Sequence, residues 1–265
     1  VLKKRVLTGA IAIPALCSLI GYGPEPTLFI MVLIAVALGL YEFYSLVLPD
    51  NKRHERAIGV VLGMALACLI YFGHVGLLHA SLGFSIIFLS ILYMLKSRDL
   101  TLAVSKIALT LFGILYIALL LSYVTLIDKS APGKQWVFFL VSIVWAADIS
   151  GFFVGSYVGR HKLYPKVSPK KTIEGLGGGI IGAIAAALLY RKLFFPVLDV
   201  SDCLVLGTSL ALFGQIGDFT ESMIKRSAHV KDSSDLIPGH GGVLDRLDSF
   251  LFSAPFLYYY ICWRG

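Results

Sequence analysis

The residues able to do chemistry in this 265-residue chain are concentrated in one stretch. Between positions 222 and 248, SMIKRSAHVKDSSDLIPGHGGVLDRLD, the basic residues Lys225, Arg226, Lys231 and Arg246 are interspersed with the carboxylates Asp232, Asp235, Asp245 and Asp248 around a Pro-Gly-His-Gly-Gly turn. In a chain that is 57% hydrophobic, this concentration points to a site for anionic, metal-bearing substrates at a membrane surface. The turn 238–242 must bend sharply, and the amides of Gly241 and Gly242 suit the cradling of an anion. His240 alone is compatible with a general base, a ligand or a polar turn residue. Asp245 and Asp248, with Asp218 upstream, are oxygen donors of the kind a hard cation such as Mg²⁺ takes. Arg246 and Lys225 would then neutralise phosphate oxygens.

Further polar positions support this reading. Asp148, Asp218 and Glu221 fall within apolar runs, where an ionised carboxylate needs a cavity, a cation or a basic partner. Asp218, Glu221, Ser222 and Lys225 are spaced three or four apart and share one helical stripe. Asp148, Phe152, Gly155 and Gly159 make a second stripe, with glycines leaving room for a ligand or another backbone. Two facing stripes would enclose a polar pocket. The segment 160–175, RHKLYPKVSPKKTIEG, reads as a basic cytoplasmic loop. Its Ser168, Lys170, Lys171 and Thr172 bring hydroxyls and ammonium groups to a helix N-terminus, which is equipment for holding phosphate oxygens.

The elements that must position these groups are transmembrane helices. A mean hydropathy of +0.83 with only 15% charged residues excludes an ordinary soluble domain, and no run alternates with the period of two that a barrel needs. Hydrophobic runs near 6–23, 27–48, 57–75, 77–95, 103–127, 135–158, 175–198, 203–224 and 249–263 predict an all-α polytopic membrane protein of about nine spans, eight being the alternative count. With nine spans and a cytoplasmic N-terminus, eighteen of the 23 Lys and Arg lie at the inner side, as the positive-inside rule requires. The polar pocket then opens to the cytoplasm, the active site faces that side, and the partners implied are phosphates of lipids and nucleotides rather than nucleic acid. Cys17, Cys68, Cys203 and Cys262 are dispersed, with no metal or disulfide spacing. Residue 6 onward reads as a retained first helix rather than a cleaved signal. Character changes near residue 140, so 1–134 is expected to be a scaffold with lipid or dimer contacts, and 135–265 the catalytic region. Glu42 is the main polar interruption of the first part. In the second, glycines at 151, 155, 159, 177–179, 182, 214 and 217 imply close helix packing.

Segment 222–248 resembles the signature of the phosphatidate cytidylyltransferases, or CDP-diacylglycerol synthases. It matches at Ser222, Lys225, Arg226, Lys231, Asp232, Ser234, Pro238, His240, Gly241, Gly242, Asp245, Arg246 and Asp248. Asp148 with its glycines, Ser168 to Gly175, Gly214 to Ser222, and Tyr41-Glu42 are also similar to the family. The resemblance implies a reaction of CTP with phosphatidate, giving CDP-diacylglycerol and pyrophosphate with Mg²⁺ and room for a second cation. It implies Asp218 and Asp245 as metal ligands, Asp148 and Asp248 as further or outer ligands, and Asp218, Lys225, Asp245 and Arg246 as the catalytic group. Ser168, Lys170, Lys171, Thr172, Ser222, Arg226, Lys231, His240, Gly241 and Gly242 would bind the substrates. A phosphate monoester dianion is already a nucleophile near neutral pH, which favours a positioning role for His240.

Two other CTP-dependent enzyme types, a CDP-archaeol synthase and a polyprenol kinase, would share such a pocket. A CDP-alcohol phosphotransferase needs a D-G-x2-A-R-x8-G-x3-D-x3-D motif that this chain lacks. A transporter of a phosphorylated solute should show inverted repeats and broken helices in both halves, whereas the polar residues here occupy one half. The glycine-rich spans fit a homodimer, and a bacterial inner membrane is the expected location.

Overall fold

The computed structural model describes residues 14–48, 53–96, 100–234, 236 and 241–264. Among these, seven helices are long and apolar enough to cross a bilayer: Pro26–Val47, Arg53–Tyr71, Leu78–Lys96, Leu100–Lys129, Gly133–Tyr157, Ile173–Leu193 and Val200–Ser227. They coincide with the second through eighth of the nine expected runs. Of the first run, 6–23, residues 14–22 are helical, Gly23 is a bend, and 6–13 lie outside the described residues. The last run is part of a helix, Leu244–Arg264, which begins five residues earlier than 249. Its first turns therefore carry Asp245, Arg246 and Asp248, which lie before the hydrophobic run 249–263.

The chain forms two compact units, residues 1–126 with 232–244, and residues 127–231 with 245–265. In the first, α1 (Pro26–Val47) opens with a proline in its first turn, where the missing N–H costs nothing. It packs on α2 (Arg53–Tyr71), followed by α3 (Leu78–Lys96). The span Leu100–Lys129 is not a uniform helix: α4 (Ala103–Gly113) passes through a π-helical stretch, Ile114–Leu119, into α5 (Leu120–Lys129). Fully buried Tyr44 from α1 lies in this region, its hydroxyl donating to the Thr110 carbonyl at 2.8 Å. A Cβ on Gly59 or Gly113 would collide with the Tyr44 ring, so these glycines admit the tyrosine between helices.

The second unit holds α6 (Gly133–Tyr157), α7 (Ile173–Leu193), α8 (Val200–Ser227) and α9 (Leu244–Arg264). The basic segment between α6 and α7 is not the expected loop. It forms an antiparallel hairpin of β1 (Lys162–Tyr164) and β2 (Ser168–Thr172), with Lys162 opposite Thr172 and Tyr164 opposite Ser168. A strand tolerates Ser168-Pro-Lys-Lys where a helix does not, because Pro169 at a sheet edge needs no ladder donor. The glycine stripes do what their spacing implied: a Cβ on Gly175 would come within 3.0 Å of the Gly151 carbonyl oxygen and 3.2 Å of Gly155 Cα. Backbone of α7 therefore fills the room that Gly151 and Gly155 leave on α6. At the far end of the unit, Arg264 on α9 pairs with Asp202 of α8, whose other carboxylate oxygen accepts from the Tyr260 hydroxyl at 2.5 Å. All four cysteines are free.

Candidate active site

The stripe on α8 is the backbone of the site. Its i, i+4 spacing places Glu221 and Lys225 one turn apart, and they form an ion pair. Lys225 Nζ also donates to Asp245 Oδ1 at 2.5 Å, so one ammonium joins two carboxylates from α8 and α9. Glu221 is 1% exposed and Lys225 8%, which makes the pairing obligatory: an unmatched charge at such burial is prohibitive. One turn earlier, Asp218 Oδ2 pairs with Lys171 Nζ of β2 at 2.5 Å. Lys171 sits 4.8 Å above the Phe219 ring, and Ser222 Oγ donates to Asp218 Oδ1 at 3.3 Å.

Asp148 of α6, Asp218 and Asp248 are close enough to repel one another, with Lys171 and Arg246 the opposing cations for Asp148. Asp248 accepts from the Ser249 amide at 2.7 Å. The second unit thus brings together two charged groups. One is Glu221, Lys225 and Asp245; the other, which reaches the first through Asp248 near Glu221, is Asp148, Asp218, Asp248, Lys171 and Arg246. In the latter, three carboxyl groups accompany two cations, oxygen donors of the kind a hard cation takes. Among the described residues, no three His, Cys, Asp or Glu side chains form a ready-made metal cage.

The remaining sequence candidates are placed as follows. Thr172 is buried at the N-cap of α7, its hydroxyl accepting from the Gly175 amide at 3.1 Å. Next to it, the Glu174 carboxylate accepts from the Arg160 and His161 amides at 3.1 and 3.2 Å and meets His161 Nδ1 at 2.6 Å. These bonds brace the hairpin against α7, leaving Lys170 exposed on β2. Arg226 donates to the carbonyls of Val167 (3.4 Å) and Val230 (2.9 Å), holding the hairpin tip to the end of α8. Ser168 lies on β2 and Lys231 is exposed just past α8. His240 lies outside the described residues.

Gly241 and Gly242 belong to the first unit, where a residue the sequence reading left out of the site organises them. Glu42 on α1, 3% exposed, accepts from Ser234 Oγ at 2.6 Å, Leu244 N at 2.8 Å, Val243 N at 2.9 Å and Ser233 Oγ at 3.0 Å. A Cβ on Gly242 would strike Ser233 Oγ and the Glu42 carboxylate, and Gly241 has φ +80°. Both positions therefore require glycine, one for space and one for conformation. The signal for Glu42 was available as a lone carboxylate in an apolar run, but sequence could not name its partners, which are 191 to 202 positions away.

Seven apolar, membrane-length helices, with Lys and Asp or Glu side chains paired across α8, α9 and the hairpin, define a polytopic membrane protein with charged groups beside apolar ones. The chain belongs to the cytidylyltransferase family, whose sequence profile matches residues 3–263. It is 29% identical over 266 residues to the phosphatidate cytidylyltransferase of Bacillus subtilis (strain 168), covering 97% of each chain. It is 31% identical over 262 residues to that of Staphylococcus epidermidis (strain ATCC 12228 / FDA PCI 1200) and 30% identical over 264 residues to that of Staphylococcus aureus (strain COL), again over 97% of each chain.

Proposed function

We propose that this chain is a phosphatidate cytidylyltransferase, joining CTP and phosphatidate to give CDP-diacylglycerol and pyrophosphate for phospholipid synthesis. The observation that carries this is the family match along nearly the whole chain, with the charged groups of α8 and α9 lying inside the matched region. A phosphatidate phosphomonoester oxygen attacks the α-phosphorus of CTP, a P–O bond forms to the lipid phosphate, and the bond to the β-phosphate breaks to release pyrophosphate. Both reactants are anions, so the main task is cancelling their repulsion and aligning them. Lys225 and Arg246 neutralise phosphate oxygens at the reacting centre. Lys170, Lys171, Arg226 and Lys231 hold the outer phosphates or the lipid head group, and Gly241, Gly242 and His240 position the nucleotide.

The donor set fits Mg²⁺. Its carboxylates are hard oxygen donors, and Mg²⁺ in nucleotide enzymes commonly uses one or two protein carboxylates and completes its shell with phosphate oxygens and water. A three-carboxylate cage is therefore not required. Asp218 and Asp248, with Asp148, would hold the ion, and Asp245, held by Lys225, would be a further ligand. Bound there, Mg²⁺ supplies charge neutralisation and orientation of the triphosphate. We extend the reading to nine spans, with the first and α9 completing the seven described, a cytoplasm-facing polar pocket, a bacterial inner-membrane location and a homodimer.

The test is pyrophosphate release by the purified, detergent-solubilised protein with CTP, with and without phosphatidate, with Mg²⁺ or excess EDTA, alongside Asp218→Asn. Release that needs phosphatidate and Mg²⁺, and that Asp218→Asn abolishes while the protein stays folded, is expected. Release without phosphatidate, or none when CTP binds, would overturn the assigned acceptor. Full activity in EDTA would overturn the metal role.

A further inference from the structure

We propose a second anionic site, in the first unit and separate from the charged groups of α8 and α9, that takes the phosphate head group of a phospholipid with its acyl chain alongside. A cavity of about 470 Å³ lies between the start of α2 and the end of α3. Arg53, His54 and Lys96 give it a basic rim, and Ile58, Leu92 and Tyr93 give it an apolar wall. Glu55, the one carboxylate of the lining, is offset by Lys106 of α4, whose Nζ lies 3.6 Å from Glu55 Oε2 and 6.0 Å from the Tyr93 ring centroid. Lys106 is 3% exposed, and a buried ammonium needs an acidic partner, which Glu55 supplies. With Glu55 beside Lys106, Arg53 and Lys96 have no carboxylate partner among the described residues, and their charges attract an anion.

The shared chemistry recognised here is a phosphate oxyanion, from a lipid or from free phosphate. The apolar wall, and the cavity's place at the ends of membrane-crossing helices, select the lipid. Basic pockets between spans at the cytoplasmic end are a recurrent mode of anionic-lipid binding, and the positive-inside reading puts Arg53 and Lys96 at that end.

The experiment is native mass spectrometry of the full chain released from detergent, with dioleoyl phosphatidylglycerol as probe, dioleoyl phosphatidylcholine as zwitterionic control and inorganic phosphate as competitor. The wild type is expected to retain one phosphatidylglycerol in preference to phosphatidylcholine. The Arg53→Gln, Lys96→Gln double variant should weaken retention by about tenfold or more, and Asp218→Asn should not change it. Pyrophosphate release by the double variant provides an independent check that the catalytic region is intact. Should the double variant misfold, Leu92→Trp, which fills the cavity without touching charge, serves in its place. Equal retention of both lipids, full displacement by inorganic phosphate, or unchanged retention in the folded variants would each overturn the proposal. None of these results bears on the cytidylyl-transfer reading, which stands or falls on product formation.

Discussion

Removing the Glu42 carboxylate is the most informative perturbation of this fold. Four donors converge on it: two serine hydroxyls from the segment after α8, and the backbone amides of Val243, just before α9, and Leu244, its first residue. Hydrogen bonds to a charged group are worth about 1.5–3 kcal/mol each, and a buried donor left unpaired costs about 1–3 kcal/mol. The hydroxyls can rotate toward other acceptors; the two amides cannot. Glu42→Ala should therefore destabilise the segment 233–244 by roughly 3–5 kcal/mol, counting mainly the amides. Total stabilities are about 5–15 kcal/mol, so local opening of this segment is expected before global unfolding. At 1.36 kcal/mol per factor of ten, exchange of the Val243 and Leu244 amides should accelerate by about two to four orders of magnitude. Glu42→Gln retains one acceptor oxygen but turns an NH₂ toward donors, and should fall between the two. Hydrogen exchange of peptides covering 232–247 reads the opening, and pyrophosphate release reads its consequence. Since Gly241, Gly242 and the start of α9 lose their anchor, turnover should drop by at least about tenfold while CTP is still bound. Unchanged exchange and turnover in Glu42→Ala would refute the reasoning.

Two other outcomes follow from the packing. Lys225→Ala leaves Glu221 and Asp245 without their shared cation, and breaking a buried pair costs about 3–5 kcal/mol; a large fall in melting temperature together with lost activity is expected, partly restored in stability by a further Glu221→Gln change. Gly175→Ala puts a methyl 3.0 Å from the Gly151 carbonyl oxygen, a backbone contact that cannot swing away, and should cost about 1–3 kcal/mol. Gly177→Ala, one turn-fraction along the same helix with nothing within 4 Å, should be neutral or stabilising by about 0.5–1 kcal/mol, so equal melting shifts for the two would contradict the assigned α6–α7 contact.

Much of the site was readable from local signals. The stripe from Asp218 to Lys225 is one helical face because helical periodicity is a property of adjacent residues, and α8 carries it through to Ser227. The glycines at 151 and 155 announced close backbone packing for the same reason, whereas their partner Gly175 was not in that pattern and Gly177, which was, meets nothing within 4 Å. Less legible was the hairpin 162–172: a short basic segment with one proline reads equally as loop, and only its pairing and the brace from Glu174 and Arg226 select strands. The start of α9 was also obscured, because Asp245, Arg246 and Asp248 interrupt the hydropathy that marks a span, although charge does not prevent a helix.

Hydropathy, charge asymmetry and the 222–248 pattern determine by themselves that this chain crosses a membrane repeatedly and handles phosphates, since those features act through composition and short spacing. Which charge meets which is a different matter. That Lys225 serves both Glu221 and Asp245, that Lys171 reaches Asp218, and that Glu42 gathers a segment 191 to 202 residues away depend on how helices distant in sequence are brought side by side. Buried charges accept only partners within a few ångströms, and tertiary packing alone sets those distances.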